Sequence, residues 1–254
     1  MRRREFIKDS FLALVGAGLL PNLAFADLAF ENGDEFVASD EIATFNSVFA
    51  KLKSVQNEVG FGKFNIISFD EVLAVAKYSS KIEKFSQVEL NLIEKLYGED
   101  PSKYGFYGNK TCSSLTEAIS QKDIIKIPLT GHYLFKGLAH QAYENLLRDV
   151  GSSLFLTSGV RSVSKQLFLY MNKIKNSGYN ITKASKSLAP PAHSYHSIGD
   201  FDVGKKGFGA LNFTEEFIRT EEFKKLISLK YVSIRYTKKN LDGVRFEPWH
   251  VQVV

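Results

Sequence analysis

Cysteine is nearly missing from this 254-residue chain: Cys112 stands alone, so neither a disulfide framework nor a cysteine-ligated metal cluster is available. Internal repeats and low-complexity tracts are also missing. Charge of one sign is not concentrated anywhere. The net charge of +5 includes +2 from residues 1–26, where Arg2, Arg3, Arg4 and Lys8 face Glu5 and Asp9, leaving +3 for the rest. No basic run points to nucleic acid, although the mild excess favours anionic surroundings such as a cell-wall polymer. A membrane-spanning run is missing too. The apolar stretch Phe11 to Leu20 is too short for a span and is interrupted by Gly16 and Gly18 before Pro21. What remains, 44% hydrophobic and 24% charged residues, is ordinary globular composition. The length suffices for one good-sized core, or for a catalytic domain with a smaller attachment.

The first 26 residues have the anatomy of an export signal. A basic start precedes the short apolar stretch, and Ala24-Phe25-Ala26 supplies a small-x-small cleavage signal before Asp27. Arg3-Arg4-Glu5-Phe6-Ile7-Lys8 resembles the twin-arginine export pattern, with Ile7 at the usual Leu position. That resemblance implies the twin-arginine export machinery as a partner, a protein exported already folded to the periplasm or beyond, and no stable membrane insertion after cleavage. A general secretory signal rich in arginine is the alternative.

Residues 27–110 read as a helical N-terminal region. Ile42, Phe45, Phe49 and Leu52 recur at helical spacing, with Asp40 as the expected N-cap and Gly60 as the stop. Two further helices are expected, one after Ser68 or Phe69 and one from about Gln87 to Tyr97. The Gly- and Pro-containing segment Gly98 to Lys110 reads as a connection. Residues 111–254 have mixed patterning. Leu138 to Asp149 is an amphipathic helix, Leu154-Phe155-Leu156 a buried strand, and Val163, Leu167, Tyr170 and Ile174 another helix ending at Gly178. Asp200 to Val203 reads as strand, and Thr214 caps a helix to about Leu229. Val232, Ile234 and Tyr236 alternate as in a strand, and Trp249 to Val254 closes the chain as one more. Helices first and strands later predict an α+β fold: a small, mainly antiparallel sheet with flanking helices, preceded by the helical extension.

Three short stretches carry the chemistry. Ser158-Gly159-Val160-Arg161-Ser162, with Gln166 following, places Arg161 at a strand-to-helix turn. His193-Ser194-Tyr195-His196-Ser197-Ile198-Gly199-Asp200-Phe201-Asp202 packs two imidazoles and two carboxylates into ten residues. Hydrolytic zinc sites use three nitrogen or oxygen ligands and keep a fourth position for water. Glu247-Pro248-Trp249-His250 adds a further imidazole three residues after a carboxylate suited to proton transfer. Each stretch has a bland alternative: a solvated arginine, an Asp-Gly turn, a proline turn entering an aromatic strand.

In this order, Ser-Gly-x-Arg-Ser, Ser-x-His-x-x-Gly with a following Asp, and Glu-x-Trp-His resemble the D-alanyl-D-alanine carboxypeptidases and dipeptidases of the vancomycin-resistance type. That family shares its metal-site architecture with lysostaphin-type endopeptidases and hedgehog domains. The resemblance spans about residues 125–254. It implies a zinc site of His196, Asp202 and His250, Glu247 as catalytic base, Arg161 steadying the scissile carbonyl and its oxyanion, and Ser194, Gln166 and Trp249 against the substrate. One spacing departs from the family. The aspartate ligand is usual seven residues after the histidine, where this chain has Val203, whereas Asp202 lies at plus six and Asp200 at plus four. A one-residue deletion after Gly199 favours Asp202, and Asp200 stays open because lysostaphin-type sites use plus four. His193 is expected beside the site, and His132 and His140 in structural roles. The expected activity is zinc-dependent hydrolysis of peptidoglycan stem peptides by a D,D- or L,D-carboxypeptidase. The alternative is a non-catalytic wall-binding or assembly protein that keeps the fold.

Overall fold

A computed structural model describes residues 33–254; the expected export signal lies outside the described residues. Among those described, no helix is long and apolar enough to cross a membrane. Four helices come first: α1 (Ile42–Val59), α2 (Phe61–Phe64), α3 (Phe69–Tyr78) and α4 (Gln87–Gly98). Local chemistry sets the starts of α3 and α4. Ser68 and Glu71, and likewise Ser86 and Glu89, form reciprocal capping boxes that satisfy otherwise orphaned backbone N–H groups, each contributing about 1 kcal/mol. The start of α1 differs from expectation. Glu41 rather than Asp40 occupies the N-cap position without capping through its side chain, because that side chain is turned to Lys95, 2.8 Å away.

The later part alternates. A short hairpin of β1 (Ile124–Lys126) and β2 (Tyr133–Phe135) precedes α5 (Leu138–Asp149), β3 (Leu154–Ser158), α6 (Val163–Asn176) and α7 (Ile181–Ser185). Then come β4 (Phe201–Lys205), α8 (Glu221–Leu226), β5 (Val232–Ile234) and β6 (His250–Val253). The expected Thr214–Leu229 helix is broken. Thr214 caps a 3₁₀ turn over Glu215–Arg219, and Thr220 caps α8 by accepting from the Phe223 N–H. Tyr236 falls beyond β5. The hairpin and α7 were not anticipated, since elements of three to five residues carry too little pattern to register.

The main sheet is antiparallel throughout, in the order β3-β4-β6-β5. One face packs on α5: Ala142, Tyr143 and Leu146 meet Leu154, Leu156, Phe201, Val203 and Val251. A second core joins the N-terminal helices to the later part. Phe45, Leu52 and Val55 of α1, Val72 of α3 and Ile93 of α4 pack with Leu167, Tyr170, Met171 and Ile174 of α6. Burying each aliphatic side chain stabilises by about 1.5–3 kcal/mol, so the helical extension and α6 are fastened to one another by apolar contact. Side chains alternate along a strand. With Phe201, Val203 and Val251 committed to the core, Asp202 and His250 must face the other way.

Candidate metal centre

On that opposite face the sheet aligns one row across three strands: Ser158 opposite Asp202, and Asp202 opposite His250. A register irregularity between Leu156 and Ser158 makes this possible. It brings Ser158 rather than Thr157 into the row, as a bulge re-aims a strand at its end. His196 arrives from a 3₁₀ turn, Tyr195–Ser197, just before β4. Gly199 makes the connection at φ 125°, a backbone geometry that side-chain-bearing residues rarely adopt. His196, Asp202 and His250 are all buried, and one donor atom from each lies within 4.8 Å of the others.

Hydrogen bonding fixes which nitrogen each histidine presents. His196 Nδ1 is 2.9 Å from the Gly159 carbonyl, which only accepts, so Nδ1 carries the proton and Nε2 offers a lone pair. Burial, reinforced by Arg161, pushes the His196 pKa down to about 4, so the ring is neutral. Its Nε2 lies 3.3 Å from Asp202 Oδ2, lone pair against lone pair. Neither His196 Nε2 nor Asp202 Oδ1 has a hydrogen-bond partner. His250 Nε2 is 3.0 Å from Asp200 Oδ2 and so donates there. Its Nδ1 is left 3.3 Å from Asp202 Oδ1. Burial would raise the pKa of Asp202, but the neighbouring His196 and the charge of Arg161 hold it well below the usual carboxylate range. Two imidazole nitrogens and one carboxylate converging in a buried site fit a divalent cation of the zinc class.

The remaining expected residues divide. Arg161 donates from Nη2 to Asp202 Oδ2 at 2.7 Å and from Nε to Ser158 Oγ at 2.8 Å, and it lines a narrow cavity together with Gln166, Ser194, His196, Glu247 and His250. Gln166 donates to the Ala189 carbonyl at 2.7 Å, while its buried Oε1 is without a partner. Glu247 sits with Oε2 3.8 Å from His250 Nδ1. Burial pushes its pKa up to about 7, against the lowering field of His250. Trp249 goes elsewhere: its ring is in the sheet core, edge-to-face with Phe213 at 5.9 Å, and does not line the cavity. Strand alternation accounts for this, since His250 beside it faces the site. Asp200 is not in the converging group; it binds Arg235 and His250. His193 meets the Gly108 carbonyl and the Phe106 ring, His132 contacts Asn65 and Phe61, and His140 lies on α5 near Glu144. Arg235 and Tyr236 border the site without having been singled out, Tyr236 with its ring 4.7 Å from that of His250. Neither lies in a motif, and only folding brings them there.

All three stretches are tied to residues that precede the β1–β2 hairpin. The Ser162 N–H donates to the Asn65 carbonyl at 2.8 Å. Lys165 reaches Gln56 at 3.1 Å amid the rings of Phe61, Phe64 and Phe168. Thr111 donates from its backbone to the Ala192 carbonyl at 2.8 Å and from its hydroxyl to the Ser194 carbonyl at 3.1 Å. The Tyr107 N–H donates to the Asp242 carbonyl at 2.8 Å, anchoring the loop that leads to Glu247.

Fold and site together define an α+β protein with a buried two-histidine, one-aspartate candidate metal centre. Residues 134–254 match the family described as VanY, D-alanyl-D-alanine carboxypeptidase. Among solved structures the chain is similar to the LdcB LD-carboxypeptidase (27% identity, TM-score 0.42), matching over 48% of this chain and 59% of that one. It is also similar to the D,D-pentapeptidase VanY of a VanB-type vancomycin-resistance cassette, solved with Zn(II): 23% identity, TM-score 0.42, 52% of this chain and 78% of that one. A third is the D,D-dipeptidase VanXYg with a D-Ala-D-Ala phosphinate analogue (26%, TM-score 0.39, 48% and 51%). The chain thus spans little more than half the length of the first and third of these. No curated protein sequence matches it.

Proposed function

We propose that the protein is a zinc-dependent carboxypeptidase of peptidoglycan stem peptides, with zinc held by His196, Asp202 and His250. One observation carries this: three buried donor residues converge with His196 Nε2 and Asp202 Oδ1 unpartnered, and a carboxylate that is not among them, Glu247, stands beside them. A zinc ion in that set supplies Lewis acidity, acidifying water and polarising a peptide carbonyl. Glu247 accepts the proton of the attacking water and passes it to the leaving amine, a role suited to a carboxyl raised towards neutrality by burial. Arg161 places positive charge where the carbonyl oxygen gains negative charge. Gln166 Oε1, with no protein partner, accepts an N–H of the peptide backbone, and Ser194 lines the same cavity. The apolar part of the lining, Leu188, Ala189 and Val244, suits a side chain as small as that of alanine. D,D- and L,D-substrates both meet these requirements.

Export through the twin-arginine machinery, with action on the wall outside the cytoplasm, belongs to this proposal and is supported by Arg3-Arg4-Glu5-Phe6-Ile7-Lys8 and Ala24-Phe25-Ala26. The decisive experiment incubates the purified, zinc-loaded protein and its Glu247→Gln variant with defined muropeptides and identifies products by mass. The wild type should release a terminal amino acid, while the variant keeps its zinc and loses about a hundredfold or more in turnover. A zinc-loaded wild type that cuts no muropeptide would favour the non-catalytic wall-binding alternative. A variant with undiminished turnover would remove Glu247 from the chemistry.

A further inference from the structure

We propose that Asp200 and Arg235 form a positioning pair that fixes the ring of His250 and directs its Nδ1 at the metal. Asp200 is buried beside the centre, and both its oxygens are engaged. Arg235 Nε donates to Oδ2 at 2.7 Å and Arg235 Nη2 to Oδ1 at 2.9 Å. His250 Nε2 donates to Oδ2 at 3.0 Å. The backbone repeats the connection, for the Arg235 N–H donates to the His250 carbonyl at 3.1 Å. Beneath the pair, the guanidinium lies 4.0 Å from the centroid of the Tyr195 ring, and Tyr195 in turn accepts from the Asn109 N–H at 3.1 Å. His250 is flanked by Tyr236 at 4.7 Å and His196 at 4.8 Å, centroid to centroid.

An imidazole can present either nitrogen, and a neutral ring with its proton on Nδ1 cannot ligate through Nδ1. A carboxylate only accepts, so Asp200 keeps the proton on Nε2 and leaves the Nδ1 lone pair facing Asp202. His196 is fixed in the opposite sense by the Gly159 carbonyl, so the two histidines use different nitrogens and different partners. Arg235 gives this carboxylate two further functions. It neutralises a charge that would be costly to bury alone, and by occupying both oxygens it keeps Asp200 from competing with Asp202 for the ion. The plus-four aspartate that the spacing left open therefore works on the ligand rather than as one. The assignment rests on the proposed zinc reading.

The test uses the full chain in wild-type form and as Asp200→Asn, Arg235→Gln, Arg235→Lys and the double variant Asp200→Asn/Arg235→Gln, which removes both buried charges at nearly constant shape. Zinc affinity is measured by chelator competition, coordination by the visible spectrum of the cobalt(II)-substituted protein, and ring protonation by nitrogen NMR of His250 in the metal-free protein. Asp200→Asn and the double variant should bind zinc about 10–100-fold more weakly, with an altered cobalt spectrum and loss of the Nε2–H signature. Arg235→Lys should recover part of what Arg235→Gln loses, because an ammonium restores charge without the two-pronged contact. A folded double variant with wild-type zinc affinity and an unchanged cobalt spectrum overturns the proposal. If the wild type takes up no zinc, the zinc reading fails, and the nitrogen signature still decides the pair: its persistence in Asp200→Asn overturns the assignment.

Discussion

Replacing Gly159 by alanine tests how the Arg161 turn is seated and what it does for the centre. A Cβ on Gly159 would stand 2.0 Å from the Tyr133 carbonyl oxygen, with Leu134 also close. Both atoms nearest to it are backbone, so no side-chain rotation relieves the clash, and the turn must retreat from β2 by roughly 1 Å or more. The Val160 N–H donates to that same Tyr133 oxygen at 2.7 Å, and a retreat of that size takes it beyond hydrogen-bond range. Overpacking costs about 1–3 kcal/mol and the lost bond about 1 kcal/mol, so Gly159→Ala should destabilise by about 2–4 kcal/mol. For a chain of this size that lowers the melting temperature on the order of 10 °C. The Gly159 carbonyl also holds His196 Nδ1 at 2.9 Å. Its displacement should weaken zinc binding about 10–100-fold, the usual effect of removing a partner of a ligating histidine. Thermal unfolding followed by circular dichroism and zinc–chelator competition on one preparation measure both effects. A variant that melts with the wild type and binds zinc as tightly would refute the reasoning from contact to position.

Arg161→Ala should cost roughly 2–4 kcal/mol of transition-state stabilisation while zinc stays bound, with Arg161→Lys recovering part; unchanged turnover of the folded fraction would remove Arg161 from the mechanism. Zinc affinity should fall as pH is lowered from about 8 to about 6. Burial alone would lower His250, but the Asp200 hydrogen bond and the charges of Asp202, Asp200 and Glu247 outweigh it and raise its pKa, so ligation displaces a proton that becomes harder to remove as pH drops. A pH-independent affinity over that range counters the assignment of His250 as a ligand. Replacing Arg3 and Arg4 by lysine should leave unprocessed precursor in the cytoplasm, assayed by fractionation, and full export of that variant would point to the general secretory route instead.

The helix starts at Ser68 and Ser86, the helix Leu138–Asp149 and the strands around Leu154 and Phe201 were legible because their signals are local: a capping side chain three residues from its partner, or an apolar period of 3.6 or 2. The break at Thr220 was less so, since Thr214 and Thr220 are both good caps and only packing around Phe217 and Phe223 decides that each opens its own turn. The converging residues and the neighbouring Glu247 were legible as chemistry, because His196, Asp202, Glu247 and His250 fall in short motifs. Trp249 was placed against substrate by its motif, and the strand's alternation turns it into the core instead.

Which residues could ligate was therefore determined by the sequence alone, through residue type and order, and so was the α+β arrangement of the elements. Which aspartate joins the two histidines was not, because plus four and plus six are equally available to an unfolded chain. The antiparallel register decides it by setting Asp202 opposite His250 and turning Asp200 to Arg235. The same holds for the chain ahead of the β1–β2 hairpin, whose Asn65, Tyr107 and Thr111 show no catalytic pattern in the sequence. They matter through backbone hydrogen bonds to residues about 80 to 135 positions away, and backbone groups, being the same in every residue but proline, leave no mark on sequence.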